Sequence, residues 1–144
     1  MVLRLGIAVV LLLVAVVVAV VLERRRKAAA SPVRDPYPVP RQIFRADFPS
    51  AEVPWLVALF SSRTCDSCAA MREKVLALAS PEVAVCDLEY SETRTLHERY
   101  EVAGVPMVVV ADVDGVVRRS FVGPLSATDL WAAVAEARAE HPAS

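Results

Sequence analysis

The sequence has almost no net charge: 16 Lys and Arg against 17 Asp and Glu leave −1 at pH 7. That balance gives no hint of a nucleic acid as the partner. Histidine and cysteine are scarce, at 2 and 3 residues. There is no second Cys-x-x-Cys and no ligand pair of the kind that structural zinc sites use. No internal repeat is present, which excludes solenoids and propellers. Once the first 40 or so residues are set aside, about 100 remain, enough for one small domain but not for two.

Apolar residues are abundant, at 56% of 144, and many of them sit at one end. Residues 5–22, LGIAVVLLLVAVVVAVVL, contain neither charge nor proline. As a helix they would span about 27 Å, which reads as a single transmembrane anchor. A cleaved signal peptide is the competing reading, because KAAAS at 27–31 offers small residues to a peptidase. The run is longer than a signal core of about 7–15 residues, and the cluster Arg24, Arg25, Arg26 and Lys27 separates it from that site, so an uncleaved anchor over 1–27 is expected. The same cluster places the C-terminal side in the cytoplasm by the positive-inside rule; a bulky C-terminal domain translocated regardless of charge is the alternative.

Residues 28–40, AAASPVRDPYPVP, carry four prolines in thirteen residues and no apolar periodicity. They read as an extended spacer reaching up to about 40 Å at ~3.1 Å per residue. Beyond it, over 41–144, strand and helix patterns alternate. Residues 53–60, VPWLVALF, form an apolar run of strand length, as in a strand covered on both faces. Residues 65–79 put Cys68, Met71, Val75 and Leu78 at helical spacing and end at Ser80-Pro81. A strand over 82–88 and a helix over 91–101 follow, the latter turning Leu96 and Tyr100 inward and His97 to solvent.

Residues 106–123 read as two antiparallel strands joined by a tight turn at Asp114-Gly115. A last helix, capped by Ser126 or Thr128, runs to about 139 with Leu130, Trp131 and Val134 inward. A short extra strand over 42–44 completes an α/β domain with a mixed central sheet flanked by helices. Trp55 and Trp131 are expected in the core, and Cys86 as a small buried side chain, with a regulatory thiol as its alternative.

Cys65-Asp66-Ser67-Cys68 stands where a strand hands over to a helix. There the first sulfur lies exposed at the helix N-terminus and the second, more buried, within the first turn. Unpaired backbone N–H groups and the positive end of the helix dipole favour a thiolate at Cys65, lowering its pKa from about 8.5 toward neutrality. Cys65 is then the attacking nucleophile and Cys68 the resolving thiol. Arg63 helps this by charge and Asp66 opposes it. A purely structural disulfide is disfavoured, because so small a ring constrains little unfolded-chain entropy. Metal binding by the pair, with Cys86 or His97 as further ligands, and two inert thiols are the other readings.

With these pieces in order, the chain from about Arg41 onward resembles the thioredoxin superfamily. The resemblance rests on the apolar strand ending in Phe60, the Cys65–Cys68 motif, GVP at 104–106, and FVGPLS at 121–126 before a final helix. It implies a thioredoxin-like fold in which Pro106 is cis and faces the cysteines, Val105 offers its backbone to an extended substrate segment, and Gly123 lines the substrate groove. It also implies a thiol-disulfide oxidoreductase without a dissociable cofactor, acting on protein thiols or disulfides and reloaded by an electron donor the sequence does not name. Three positions depart from the family pattern. Asp66-Ser67 replaces the usual Gly-Pro, Thr64 the usual tryptophan, and Leu59 the buried acid of the strand before the motif. The N-terminal strand and helix are abbreviated, and the chain as a whole resembles a membrane-tethered thioredoxin-like protein of the bacterial kind rather than a soluble cytosolic thioredoxin.

Overall fold

The structure is a computed structural model that describes residues 37–142, together with residues 14 and 16–18. Residues 37–142 lie within a compact unit, Asp35–Ser144. The anchor expected over residues 1–27 and most of the spacer fall outside the described residues. Among those described, no helix is long and apolar enough to cross a membrane.

Four strands form the sheet: β1 (Trp55–Ser61), β2 (Val83–Glu89), β3 (Met107–Asp112) and β4 (Val117–Val122), in the order β2-β1-β3-β4. β1 pairs in parallel with β2 and antiparallel with β3, and β4 pairs antiparallel with β3. The sheet is therefore mixed, as expected. Every residue of β1 and β3 is buried, which accounts for their unbroken apolar runs.

The two faces of β1 feed separate cores. Trp55, Val57 and Leu59 meet Met71, Val75, Leu130 and Val134 from α1 (Cys68–Leu76) and α3 (Ala127–Glu140). Leu56, Ala58 and Phe60 meet Ile43 and Phe48 from the chain before β1, with Leu96 and Tyr100 from around α2 (Arg94–Arg99) against the same cluster. At the β3–β4 turn Gly115 has φ +80°, and a Cβ there would lie 2.1 Å from the carbonyl oxygen of Ile43, so only glycine fits. The segment before β1 contributes a single bridge, Gln42 to Val116, and a 3-10 turn at Arg45–Asp47 rather than the expected strand over 42–44.

Two side chains lie where the periodicity did not put them. Trp131 is 48% exposed, because the buried stripe of α3 is Leu130, Ala133, Val134 and Ala137, and position 131 turns away from it. His97 is 4% exposed rather than solvated. Its Nε2 donates to the Leu88 carbonyl at 2.8 Å, and its ring meets Phe60 and Tyr90 edge-on.

Truncating the neighbours Leu130 and Trp131 separates the two sides of α3. Leu130→Ala is expected to cost about 2–5 kcal/mol of unfolding free energy, and Trp131→Ala less than about 1 kcal/mol, in urea titrations followed by circular dichroism. Equal losses would put Trp131 in the core.

Candidate active site

Because β1 runs parallel to β2 and antiparallel to β3, the last residues of β1, β2 and β4 share one end of the sheet with the first residue of β3. The loops that leave this end carry Cys65 and Cys68, Val105 and Pro106, and Gly123. Such an edge is where α/β sheets place their ligands.

Cys65 and Cys68 are joined in a disulfide, with Cα atoms 5.4 Å apart. The helix begins at Cys68 rather than Cys65. Residues 65–68 form a turn in which the Cys68 N–H donates to the Cys65 carbonyl at 3.2 Å, and Ser67 is the residue before the first helical one. The Cys65 sulfur is thus held at the mouth of α1 through its bond to the first helical residue. It is half-buried and lies 3.7 Å from the Ser67 hydroxyl, whereas Cys68 is 1% exposed.

The Val105–Pro106 peptide is cis, and Pro106 is fully buried. The Gly123 N–H donates to the Pro106 carbonyl at 2.8 Å, bringing these two residues together. Gly123 has φ +98°, and a Cβ there would meet nothing within 4 Å, so that side of the loop is open. Leu125 ties the same loop to α1: its N–H donates to the Met71 sulfur at 3.3 Å, and its carbonyl accepts from Lys74 Nζ at 2.6 Å.

Glu89, the last residue of β2, anchors the cysteine loop. It accepts the Arg63 N–H at 3.1 Å and both the N–H and the hydroxyl of Ser91. The Ser91 hydroxyl, ahead of the Arg63 contacts, holds the Glu89 carboxyl below its usual range against the opposing effect of burial. Arg63 is shared between Glu89 and Glu92, so its charge is engaged away from the cysteines. Leu59 is fully buried among apolar side chains, so the strand before the motif supplies no carboxylate.

Cys86 stands apart from this end. Burial pushes its thiol up to about 12, with the charge of Asp87 adding and that of Arg45 opposing, and a thiol held in that form is a poor nucleophile. His97 Nε2 is occupied by the Leu88 carbonyl. Among the described residues no three His, Cys, Asp or Glu side chains gather as metal ligands. Sequence reasoning missed Glu89, Met71 and Lys74, since each acts on a partner 26 to 54 residues away and no local pattern marks such a pair.

Several solved structures share this fold. A single-site mutant of the thioredoxin of Halobacterium salinarum is 24% identical, with a TM-score of 0.55 over 69% of this chain and 89% of its own. Mitochondrial thioredoxin 3 of Saccharomyces cerevisiae is 23% identical, with a TM-score of 0.51 over 60% and 81%. The malaria-parasite thioredoxin-2 is 14% identical, with a TM-score of 0.51 over 58% and 82%. No family model matches the chain, and neither does any curated protein. The fold is thioredoxin-like.

Glu89 gives the site an acid sensitivity with a definite sign. A carboxyl whose folded pKa is depressed contributes stability that is fully present above its unfolded value, about 4.3, and is lost as pH falls through the folded value. Glu89→Gln is therefore expected to lower the urea midpoint at neutral pH and to converge with the unsubstituted protein as pH falls below about 4. A gap that persisted unchanged into that range would assign the effect to shape rather than charge.

Proposed function

We propose that the protein is a membrane-tethered thiol-disulfide oxidoreductase, Cys65 attacking and Cys68 resolving. The observation that carries this reading is the disulfide itself: a half-buried cysteine joined to a buried one at the end of a thioredoxin-like sheet where β1, β2 and β4 finish. In the reducing direction the Cys65 thiolate attacks a substrate disulfide, one substrate thiolate leaves, and a mixed disulfide forms. Cys68 then attacks the Cys65 sulfur. The Cys65–Cys68 bond forms, the second substrate thiolate leaves with the electron pair, and the protein is oxidised by two electrons. A thiol or dithiol donor must reduce it again, and no dissociable cofactor is required.

Val105, beside the cis Pro106, presents its backbone to an extended substrate segment, and Gly123 lines the groove that receives it. The open side of Gly123 and its hydrogen bond to Pro106 support this. The apolar run at 5–22 and the basic cluster at 24–27 support an N-terminal single-pass anchor with the domain on the cytoplasmic side. Such a tether raises the local concentration of partners that are themselves at the membrane. A binding module that keeps the fold without turnover is the second reading, favoured by the buried leucine at position 59.

Cys65→Ser is expected to abolish reduction of insulin disulfides and to trap nothing. Cys68→Ser is expected to accumulate mixed disulfides visible on non-reducing gels. Wild-type activity in both variants would falsify the proposal, and an unsubstituted protein no faster than dithiothreitol alone would leave the binding module.

Sidedness is tested in intact cells carrying a variant with Cys68→Ala and Cys86→Ala, after gentle reduction. Labelling of Cys65 by a membrane-permeant maleimide only is the expected outcome and places the domain in the cytoplasm. Full labelling by an impermeant reagent would place it outside, fed by an electron carrier that crosses the membrane.

A further inference from the structure

The end of the proline-rich stretch is part of the folded domain. The Ile43 N–H donates to the Gly115 carbonyl at 2.9 Å, and the Arg41 carbonyl accepts the Val117 N–H at 3.0 Å. Gln42 between them bridges Val116 in the antiparallel sense. From Ile43 back to Tyr37 the chain therefore follows β4 toward Val122, with Val39 packed against the core that holds Leu56, Ala58 and Phe60. It brings Tyr37 to the end of β4 that carries the site.

Gly104 shows how close Tyr37 comes. A Cβ on Gly104 would lie 3.7 Å from Cγ and Cδ1 of the Tyr37 ring and 3.3 Å from Cγ1 of Val122. The φ of Gly104 is outside the left-handed region, so what glycine supplies there is room. The ring fills the space beside position 104, one residue before Val105 and two before the cis Pro106. Tyr37 is nevertheless 46% exposed, so it lies against the Gly104 backbone with much of its surface free.

The backbone next to the ring is open as well. Among the described residues, neither Gly104 nor Val105 spends its N–H or C=O on a hydrogen bond within the protein. A segment that pairs with Val105 as an added strand sets its next residue opposite Gly104, about 3.3 Å further along. Gly104 offers that residue no side chain, and the Tyr37 ring stands beside it instead. On the cysteine side, Arg63, Thr64 and Asp66 are polar and exposed, so an apolar contact falls to the cis-proline side of the groove.

We propose that Tyr37 is a specificity-determining residue of the substrate groove: its ring receives an apolar side chain of the substrate, beside the residue that pairs with Val105. This inference rests on the oxidoreductase reading above and narrows its substrate class to extended polypeptides with a large aliphatic or aromatic residue close to the reactive cysteine. Covering the exposed part of the ring removes apolar surface from water on both partners, which favours such a residue over glycine or a charged one.

The test reads selectivity, which a merely structural role would leave alone. Reduced full-length protein in detergent micelles reacts with excess five-residue peptides whose central cysteine is disulfide-bonded to nitrothiobenzoate. The Cys65 thiolate attacks the peptide sulfur, the Cys65–peptide bond forms, and the nitrothiolate, the better leaving group, departs with the electron pair. The other four residues are glycine in the reference peptide, and a single leucine then occupies each of the four positions in turn. In the unsubstituted protein one position is expected to raise the second-order rate constant about tenfold over the reference, the scale of partly covering one leucine side chain. Tyr37→Ala should bring that ratio down to about one, and Tyr37→Phe should keep it.

A leucine preference that survives in Tyr37→Ala, or no preference at any position in the unsubstituted protein, would overturn the proposal. So would a Tyr37→Ala variant that reacts faster with the all-glycine peptide, because the ring would then cover the groove rather than serve it. In each case, release that still depends on Cys65 leaves the oxidoreductase reading standing. Should Tyr37→Ala fail to fold, Tyr37→Gln, which keeps a long side chain without the aromatic ring, takes its place with the same expectation. Release from Cys65→Ser as fast as from the unsubstituted protein would overturn the parent reading itself.

Discussion

β1 is buried at every one of its residues, and everything at the site depends on that confinement. Its odd positions Trp55, Val57 and Leu59 enter one core, and Leu56, Ala58 and Phe60 enter the other. Sliding such a strand by one residue would exchange both sets at once, so its register is held from two sides. The chain consequently leaves the sheet at a defined point after Ser61, and the turn that bears the cysteines starts only a few residues later.

Polar side chains at the same end convert that fixed exit into a fixed site. Glu89 holds the backbone of the cysteine loop at Arg63, and Met71 and Lys74 hold the Gly123–Ser126 loop against α1. Asp87 occupies both of its oxygens with Ser61 and Arg72. Each contact spans elements distant in sequence, so together they resist the opening that would let the two cysteines and the cis-proline loop move independently. The difference in burial between Cys65 and Cys68 follows from this framing. The turn leaves Cys65 half-buried, while Cys68, the first residue of α1, is buried.

The scarcity of other reactive groups sharpens the division of labour. The thiol of Cys86 is kept protonated by its apolar surroundings, and the His97 ring is committed to a backbone carbonyl and two aromatic edges. Neither competes for the chemistry at the sheet edge. The Thr64 and Asp66 side chains flanking Cys65 are exposed, so the immediate approach to the sulfur is polar and open.

What the sequence determined by itself was whatever neighbouring residues decide together. The two-sided burial of β1, the order of strands and helices, the glycine of the β3–β4 turn and a cap of α3 at Ser126 or Thr128 were legible, because each arises from periodicity, a backbone angle or a contact three residues away, and the structure uses Ser126. The cysteine pair was legible as a motif, though the helix start moved to Cys68, since helix ends respond to the turn they emerge from. The tertiary structure decided the rest. His97 is drawn inward by a carbonyl on β2, and Trp131 is left outside because three other residues fill the buried stripe with Leu130. Asp87 looks like one more charge in a strand until the parallel register sets it beside Leu59 and under Arg72. Its position is a property of pairing between strands, which no local stretch of the chain encodes.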